Sequence, residues 1–277
     1  MLYSYLHGLY YRLINKIYRV LKNKKWRTVP ANKSSTFFND AIQLFDPHLL
    51  GVNTLASEIT SIQTTKEILN IYEKLDSEPC IDFAKDFINK GINNFGDNWY
   101  YADINSVLYA ISKNLNIENY LEIGVRRGRS MCTVASQSPN ISIYGFDMWI
   151  PNYTGSDNPG PDFVRSELSK FNYNGTLEFI DGDSKKTIPK FFKSNPDLYF
   201  DVVTVDGDHS IGGATRDLNN VMNRIKIGGI LVFDDISSQE HTYLNKLWIN
   251  IVKKKNNFVT WEYTDIGLGV AFAIRKF

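Results

Sequence analysis

The sequence predicts an α/β fold in which a doubly wound, mostly parallel seven-stranded sheet follows a helical N-terminal region and ends in an antiparallel hairpin. Three observations support this prediction. A buried strand runs into a glycine-rich turn and the start of a helix over residues 120–130. Strand segments and helical segments then alternate towards the C-terminus. The last two strands are separated only by residues 264–267, a connection too short for a helix, so this final pair must run antiparallel.

The composition is that of a chain with one sizeable core and room for an appendage. Of its 277 residues, 43% are hydrophobic and 14% are aromatic. The two cysteines, Cys80 and Cys132, are too far apart in the sequence to form a metal or redox motif, so we expect a reducing, cytoplasmic compartment. No apolar run approaches membrane-spanning length, and no signal-peptide pattern is present.

Residues 1–30 are predicted to form a basic, amphipathic helical arm, with seven Lys and Arg side chains and no acid. One interpretation of residues 1–25 is a helix on an anionic membrane surface, which would place the protein peripherally at the inner membrane face. The other is a helix that packs on its own domain or on a twin subunit. The remaining 24 basic and 30 acidic side chains leave a net charge of −6, so we expect no nucleic-acid partner.

Residues 31–100 are predicted to form a helical cap or an oligomerisation region, and we expect a homo-oligomer. Helical patterns cover residues 37–45, 57–75 and 80–90, and none of them carries a catalytic motif. A further helix over residues 99–115 leads into the first strand, so we place the catalytic domain at residues 101–277.

Within this domain the pattern predicts seven strands and five further helices. The predicted strands cover residues 120–123, 142–147, 177–181, 201–206, 229–234, 258–263 and 268–275. The predicted helices lie near residues 129–137, 161–171, 185–193, 212–224 and 239–254.

The glycine-rich turn has the pattern E-x-G-x-x-x-G and is a candidate ligand cradle. Gly124 and Gly128 let the backbone turn sharply and approach a ligand, and Ser130 stands where the next helix begins. Glu122 precedes the first glycine, and a carboxylate there suits a ligand with an ammonium group and would repel a pyrophosphate. Taken alone, the motif also fits a simple glycine turn at the end of a strand.

Two later strand ends carry polar residues that fit a nucleoside. Asp147 ends the second strand, at a distance from the glycine turn that is typical of a carboxylate gripping a ribose diol, and Met148 would supply apolar surface for an adenine. Asp147 is alternatively an ordinary turn cap. After the third strand, Asp183 and Ser184 lie where the edge of the adenine needs polar partners, and Ser184 is also a good N-cap for the following helix.

Acidic residues also end the fourth and fifth strands. Asp206 follows the fourth strand, and Asp234 and Asp235 follow the fifth. Since neighbouring parallel strands end at one edge of a sheet, we expect these three carboxylates to converge on a hard divalent cation, Mg²⁺ or Mn²⁺. His209 stands three residues after Asp206, within reach of a hydroxyl held on that cation. We therefore predict a catalytic role for His209 and treat the other three histidines as structural.

The order of these motifs resembles class I S-adenosylmethionine-dependent methyltransferases, over roughly residues 100–277. The segments V-D-G-D-H-S and F-D-D look like the metal-dependent macrolide sugar O-methyltransferases, the macrocin and mycinamicin enzymes. The resemblance implies a Rossmann-like methyltransferase fold, S-adenosylmethionine as cofactor, magnesium at Asp206, Asp234 and Asp235, and His209 as general base. Asp234 departs from the glutamate expected at its position in the macrolide enzymes.

The predicted reaction is transfer of a methyl group to a sugar hydroxyl, on a bacterial surface glycan or a glycosylated natural product. The glycine- and proline-rich segment 151–163 is either a mobile lid over the acceptor or an ordinary surface loop. Two alternatives remain: methylation of a small phenolic or natural-product hydroxyl, and a non-catalytic partner subunit that keeps the fold for docking.

Overall fold

The structure is a computed structural model that describes residues 29–33, 49–152 and 157–277. The helices predicted over residues 1–25 and 37–45 lie outside the described residues. Residues Ala31–Phe277 form one compact unit. Among the described residues, no helix combines the length and the apolar character needed to cross a membrane.

In the described part of the chain, four α-helices precede the sheet: α1 (Val52–Ile59), α2 (Ile62–Tyr72), α3 (Pro79–Phe95) and α4 (Ile104–Asn114). The single helix predicted over residues 57–75 is divided, because Ser61 is in an extended conformation and caps α2 by accepting a hydrogen bond from the Thr64 amide. The helix predicted from residue 99 begins later, at a capping box formed by Asp103 and Ser106.

The fold class predicted from the sequence is confirmed. The seven strands are β1 (Asn119–Ile123), β2 (Ser142–Asp147), β3 (Leu177–Asp181), β4 (Phe200–Val205), β5 (Ile225–Asp234), β6 (Phe258–Tyr263) and β7 (Val270–Arg275). They form one sheet in the order β3-β2-β1-β4-β5-β7-β6. Strands β1 to β5 pair in parallel, and β7 pairs antiparallel with both β5 and β6.

The helices that alternate with these strands are α5 (Arg129–Gln137), α6 (Pro161–Ser169), α7 (Ser184–Ser194), α8 (Ile211–Val221) and α9 (Tyr243–Trp248). The long helix predicted over residues 239–254 is shorter than expected, since α9 begins at Tyr243 and continues as a π-helical turn, Ile249–Lys253.

Hydrophobic side chains form one core on each face of the sheet. Helices α1 to α6 contribute to the first core, and α7 to α9 contribute to the second. Strand residues alternate between the two cores with the period of two expected of a pleated sheet: Tyr120 faces the first and Leu121 the second. Helices α1 to α3 therefore share a core with the sheet, and the domain boundary near residue 100 stays a prediction.

Candidate active site

The glycine-rich turn after β1 packs directly on the segment after β4. Gly124 has a φ of +91°, and a Cβ atom placed on it would lie 1.9 Å from the carbonyl oxygen of Asp206. Gly128, with φ +71°, is the N-cap of α5, and a Cβ there would lie 2.5 Å from Val164 Cγ1. Both positions require glycine, because φ is positive and a side chain would overlap neighbouring atoms. The contact of Gly124 also places the turn against the predicted acidic cluster.

The side chain of Glu122 is fully buried near the end of β1. It is 0% exposed, and its two carboxyl oxygens contact the hydroxyls of Tyr120 and Ser130, the latter at 2.5 Å. Burial raises the pKa of Glu122 to about 8, so the group is largely a neutral acid at pH 7. The contact of Glu122 with an ammonium group stays a prediction; in this structure Glu122 orders Ser130 at the start of α5.

We expect Glu122→Gln to change how stability depends on pH. A glutamate in the unfolded chain ionises near pH 4.3, and Glu122 in the folded chain near 8, so the folded state binds the extra proton between these values. The free energy of unfolding should therefore fall as pH rises across this window, on the order of 2–4 kcal/mol, in the wild type but not in E122Q. Urea unfolding between pH 5 and 8.5 measures the difference. The exposed Glu178 is the control, since E178Q should keep the wild-type pH dependence; parallel curves for E122Q would contradict the prediction.

Asp147, at the end of β2, caps the glycine-rich turn. Its Oδ2 accepts hydrogen bonds from the backbone amides of Val125 (2.8 Å) and Arg126 (2.9 Å). Its Oδ1 accepts from the Trp149 amide at 2.6 Å and from Asn158 Nδ2 at 3.2 Å. These bonds use the four lone-pair positions of a carboxylate, so the structure shows the capping interpretation of Asp147, and its contact with a ribose stays a prediction.

The ends of β2 and β3 present apolar surface beside polar groups. Met148 is 52% exposed, and the indole of Trp149 spans the two strand ends by donating from Nε1 to Asp181 Oδ1 at 2.7 Å. Asp183, rather than Ser184, is the N-cap of α7, since its side chain accepts from the Lys185 amide and Ser184 is the first helical residue. Met148, Asp183 and Ser184 therefore follow the ends of two neighbouring strands, and their contact with an adenine stays a prediction.

Three predicted catalytic and metal-binding residues come together beyond β4 and β5. His209 Nε2 lies 3.3 Å from Asp206 Oδ1, and His209 Nδ1 lies 3.6 Å from Asp235 Oδ2. One potential ligand atom from each of these residues lies within 4.8 Å of the others. The contact with Asp206 raises the pKa of His209, against the opposing effect of burial. Burial, reinforced by Asp206, raises the pKa of Asp235 to about 6, as expected of crowded carboxylates.

Asp234, predicted as the third metal ligand, contributes no atom to this group. Successive strand residues point to opposite faces, so Asp234 shares the face of Ile230 and Val232, the first core. Asp235 follows the strand with a φ of +60°, which turns its side chain towards His209. Burial, with Asp235 and Asp206 nearby, raises the pKa of Asp234 well above its ordinary value.

Sequence reasoning missed the residues that support these groups. Tyr120 contacts Glu122, a pairing that the period of two within β1 could have indicated. The Tyr243 hydroxyl donates to the backbone carbonyl of His209 at 2.9 Å, and His241, treated as structural, packs its ring edge-on to that of His209 with centroids 5.2 Å apart. No spacing in the sequence links residues 209 and 241, because the two loops meet only through the sheet.

The segment predicted as a lid or a surface loop is described only in part, since residues 153–156 lie outside the described residues. Its C-terminal part is attached to the glycine-rich turn. Arg127 Nη1 lies 3.0 Å from Asp157 Oδ2, and its guanidinium stacks over the ring of Phe163 at 4.2 Å. Asn158 donates to Asp147. The segment and the turn are therefore joined through side chains, and the lid function stays a prediction.

A family model described as a methyltransferase domain matches residues 121–236, from β1 to the end of the acidic segment after β5. The chain is also 27% identical over 159 residues to tapetum-specific methyltransferase 1 of Arabidopsis thaliana. That alignment covers 57% of this chain, and the chain spans 59% of the length of that relative.

Solved structures share the fold of this chain. The S-adenosylhomocysteine-bound methyltransferase PaMTH1 of Podospora anserina matches with a TM-score of 0.51 and 12% identity, over 81% of this chain and 94% of that protein. The O-methyltransferase TomG of Streptomyces achromogenes, in complex with S-adenosylmethionine, matches with a TM-score of 0.50 and 14% identity, over 73% of this chain and 92% of that protein. At this level of identity the likeness shows the fold, which is that of the class I methyltransferases.

Proposed function

We propose that this chain, which has the class I methyltransferase fold and a methyltransferase domain over residues 121–236, is an S-adenosylmethionine-dependent O-methyltransferase that acts on a sugar hydroxyl. The acceptor is a bacterial surface glycan or a glycosylated natural product. The O-methyltransferase activity is supported by the family match and the fold. The sugar acceptor is supported by the resemblance of V-D-G-D-H-S and F-D-D to the macrolide sugar enzymes.

One observation carries the proposal: the glycine-rich turn touches the segment that bears the acid and histidine cluster. The Cα of Gly124 approaches the Asp206 carbonyl so closely that a methyl group would not fit between them. A ligand cradled by this turn is therefore next to Asp206, His209 and Asp235. This is the adjacency that a transfer between a cofactor and a hydroxyl requires, because the reacting atoms must be held about 3–3.5 Å apart.

The residues present fit S-adenosylmethionine. Gly124 and Gly128 leave the backbone of the turn accessible. Ser130 lies in the first turn of α5, where the backbone amides have no partner within the helix and can bind a ligand. Met148, Asp183 and Ser184 supply mixed apolar and polar surface at the ends of β2 and β3. The hydrogen bonds from the Val125 and Arg126 amides to Asp147 hold this cradle in one conformation.

The residues present also fit a divalent cation. Asp206 and Asp235 offer hard oxygen ligands beside His209. Burial, and after it the charge of Asp206, raises the pKa of Asp235, and a cation would favour the ionised carboxylate. We assign Mg²⁺ or Mn²⁺ to Asp206 and Asp235. Asp234, the third ligand predicted from the sequence, stands outside this group, and its binding to the cation stays a prediction.

The mechanism assigns His209 the role of general base. When bound, S-adenosylmethionine would supply an electrophilic methyl group, and a cation held by Asp206 and Asp235 would lower the pKa of a nearby hydroxyl. His209 would accept the hydroxyl proton as the carbon–oxygen bond forms and the methyl–sulfur bond breaks, which leaves S-adenosylhomocysteine. Asp206 and Asp235 lie near the ring of His209, at 3.3 Å and 3.6 Å from its nitrogens, so their negative charges favour the protonated imidazole that forms.

A panel of acceptors tests the proposal. We would incubate the protein with S-adenosylmethionine, Mg²⁺ and one acceptor from each of three classes: methyl α-L-rhamnopyranoside, a nucleotide-linked deoxysugar, and catechol. Mass spectrometry should show a gain of one methyl group on a sugar. Methylation of catechol alone would establish the phenolic alternative, and absence of transfer to any hydroxyl would contradict the proposed activity.

Removal of the metal gives a prediction that separates its role from that of the cofactor. EDTA should abolish methyl transfer, and Mg²⁺ or Mn²⁺ should restore it, because the carboxylates alone cannot lower the pKa of a hydroxyl. Cofactor binding measured by calorimetry should change little, since Gly124, Gly128 and Met148 lie outside the cluster. Full transfer in EDTA by protein with no metal on elemental analysis would rule out the cation.

A further inference from the structure

The Tyr243 hydroxyl bridges two histidines on different loops. It lies 2.9 Å from the backbone carbonyl oxygen of His209 and 3.0 Å from Nδ1 of His241. A tyrosine hydroxyl carries one hydrogen, and a carbonyl oxygen can only accept. The hydrogen of Tyr243 therefore points at His209, and the contact with His241 must be made by an Nδ1–H group donating to the tyrosine oxygen.

This geometry determines the tautomer of His241. In a neutral imidazole one nitrogen carries the hydrogen and the other is an acceptor, so His241 with hydrogen on Nδ1 has a free lone pair on Nε2. Among hydrogen bonds within the described part of the chain, none involves Nε2 of His241, and this atom is not among the buried polar atoms that lack a partner. Nε2 is therefore an open acceptor, next to the ring of His209.

His241 is accessible to a ligand beside the proposed base. His241 is partly exposed, and its ring centroid lies 5.2 Å from that of His209. Ile211, which lies two residues after His209 at the start of α8, is 56% exposed. Leu268 is 58% exposed, and its carbonyl accepts from the Ser237 amide, so the turn between β6 and β7 reaches the segment after β5. A polar acceptor beside the proposed base, on loops that also carry exposed apolar side chains, is suited to orienting one polar group on a ligand.

We propose that Nε2 of His241 binds a second hydroxyl of the sugar acceptor, and that Tyr243 is a positioning residue that holds His241 in the tautomer this contact needs. The proposal rests on the proposed function and adds to it an acceptor with at least two hydroxyl groups. One hydroxyl faces His209 and reacts, and another donates to His241. A monohydroxyl acceptor leaves the second contact unmade.

The first experiment measures the tautomer without turnover. The chain has four histidines, so protein labelled with ¹⁵N-histidine gives few signals in long-range ¹H–¹⁵N spectra, and H241Q identifies those of His241. At a pH where the side chain is neutral, we expect hydrogen on Nδ1 and an unprotonated Nε2. Y243F should lose this preference. Hydrogen on Nε2 in the wild-type protein would overturn the proposal.

The second experiment measures the contact. With S-adenosylhomocysteine and Mg²⁺ present, methyl α-L-rhamnopyranoside should shift the ¹⁵N signal of His241 Nε2 in the wild type, and less in Y243F. In turnover, H241F should raise KM for this sugar about 5- to 10-fold, the size of one lost hydrogen bond, and leave the affinity for S-adenosylmethionine unchanged. H241Q, which keeps an acceptor at similar reach, should recover part of the loss. Thr242, the exposed residue next to His241, provides the control, because T242A should behave as wild type.

The outcomes separate the two proposals. If the wild type methylates the rhamnoside and H241F has an unchanged KM, only the role of His241 fails. If H241F lowers the melting temperature and the cofactor affinity together with activity, His241 is structural and the proposal is overturned. If the wild type transfers no methyl group to any acceptor, the proposed function fails, and the shift of Nε2 on adding the sugar still decides whether His241 contacts it.

Discussion

Replacing His209 with alanine is expected to lower kcat by roughly 10²–10⁴-fold, the usual contribution of a positioned acid–base group. The acceptor found in the panel above is the substrate for this measurement. Affinity for S-adenosylmethionine should change little, because His209 lies in the loop after β4 and contacts Asp206 and Asp235 rather than the glycine-rich turn.

Glutamine at the same position distinguishes catalysis from structure. H209Q retains a hydrogen-bonding group opposite Asp206 but cannot accept a proton at neutral pH, so we expect it to be as inactive as H209A. Both variants should melt close to the wild type. A folded H209Q enzyme that turns over at the wild-type rate would end the assignment of His209 as the base.

Replacing Gly124 with alanine is expected to destabilise the protein by about 3–5 kcal/mol and to disrupt the site. Alanine at a φ of +91° costs roughly 1–2 kcal/mol in backbone strain. The added Cβ would also lie 1.9 Å from the Asp206 carbonyl oxygen, and because that atom is backbone it cannot move without displacing the end of β4. Thermal unfolding and calorimetry with S-adenosylmethionine should show both a lower melting temperature and weaker binding.

Gly96 supplies the matched control. It also has a positive φ, +56°, but no atom lies within 4 Å of a Cβ placed on it. G96A should therefore show the backbone strain alone and leave cofactor binding intact. For a domain of this size, that strain corresponds to a decrease in melting temperature of about 2–8 °C. Equal losses for G96A and G124A would mean that the contact with Asp206 does not matter.

The assignments converge on a division of labour at one edge of the sheet. In the proposed function, the turn after β1 and the ends of β2 and β3 bind the nucleoside, whereas the loops after β4 and β5 bring acids and imidazoles together. Gly124 joins the two regions, because the turn and the Asp206 backbone are in contact. On this proposal, the position of the hydroxyl acceptor relative to the methyl donor depends on the packing of these two backbone segments.

The sequence by itself determined the fold class and most of the candidate residues. The alternation of strands and helices and the short connection between β6 and β7 predicted the seven-stranded sheet with its reversed strand, since each signal is local. The same holds for Gly124, Gly128 and Asp206, because the end of a parallel strand is visible in the sequence as an apolar run followed by a polar residue.

Only the tertiary structure decided which of these side chains meet. The carboxylates of Asp234 and Asp235 are adjacent in sequence, yet only Asp235 joins His209, because strand alternation and a positive φ turn the two side chains apart. Glu122 looks like a ligand contact in the sequence but is buried as a neutral acid, since Tyr120 and Ser130 enclose it. His241 reaches His209 only because β4 and β5 are neighbours in the sheet, so the loops that follow them meet. The two histidines are 32 positions apart in the sequence, and no local pattern indicates their contact.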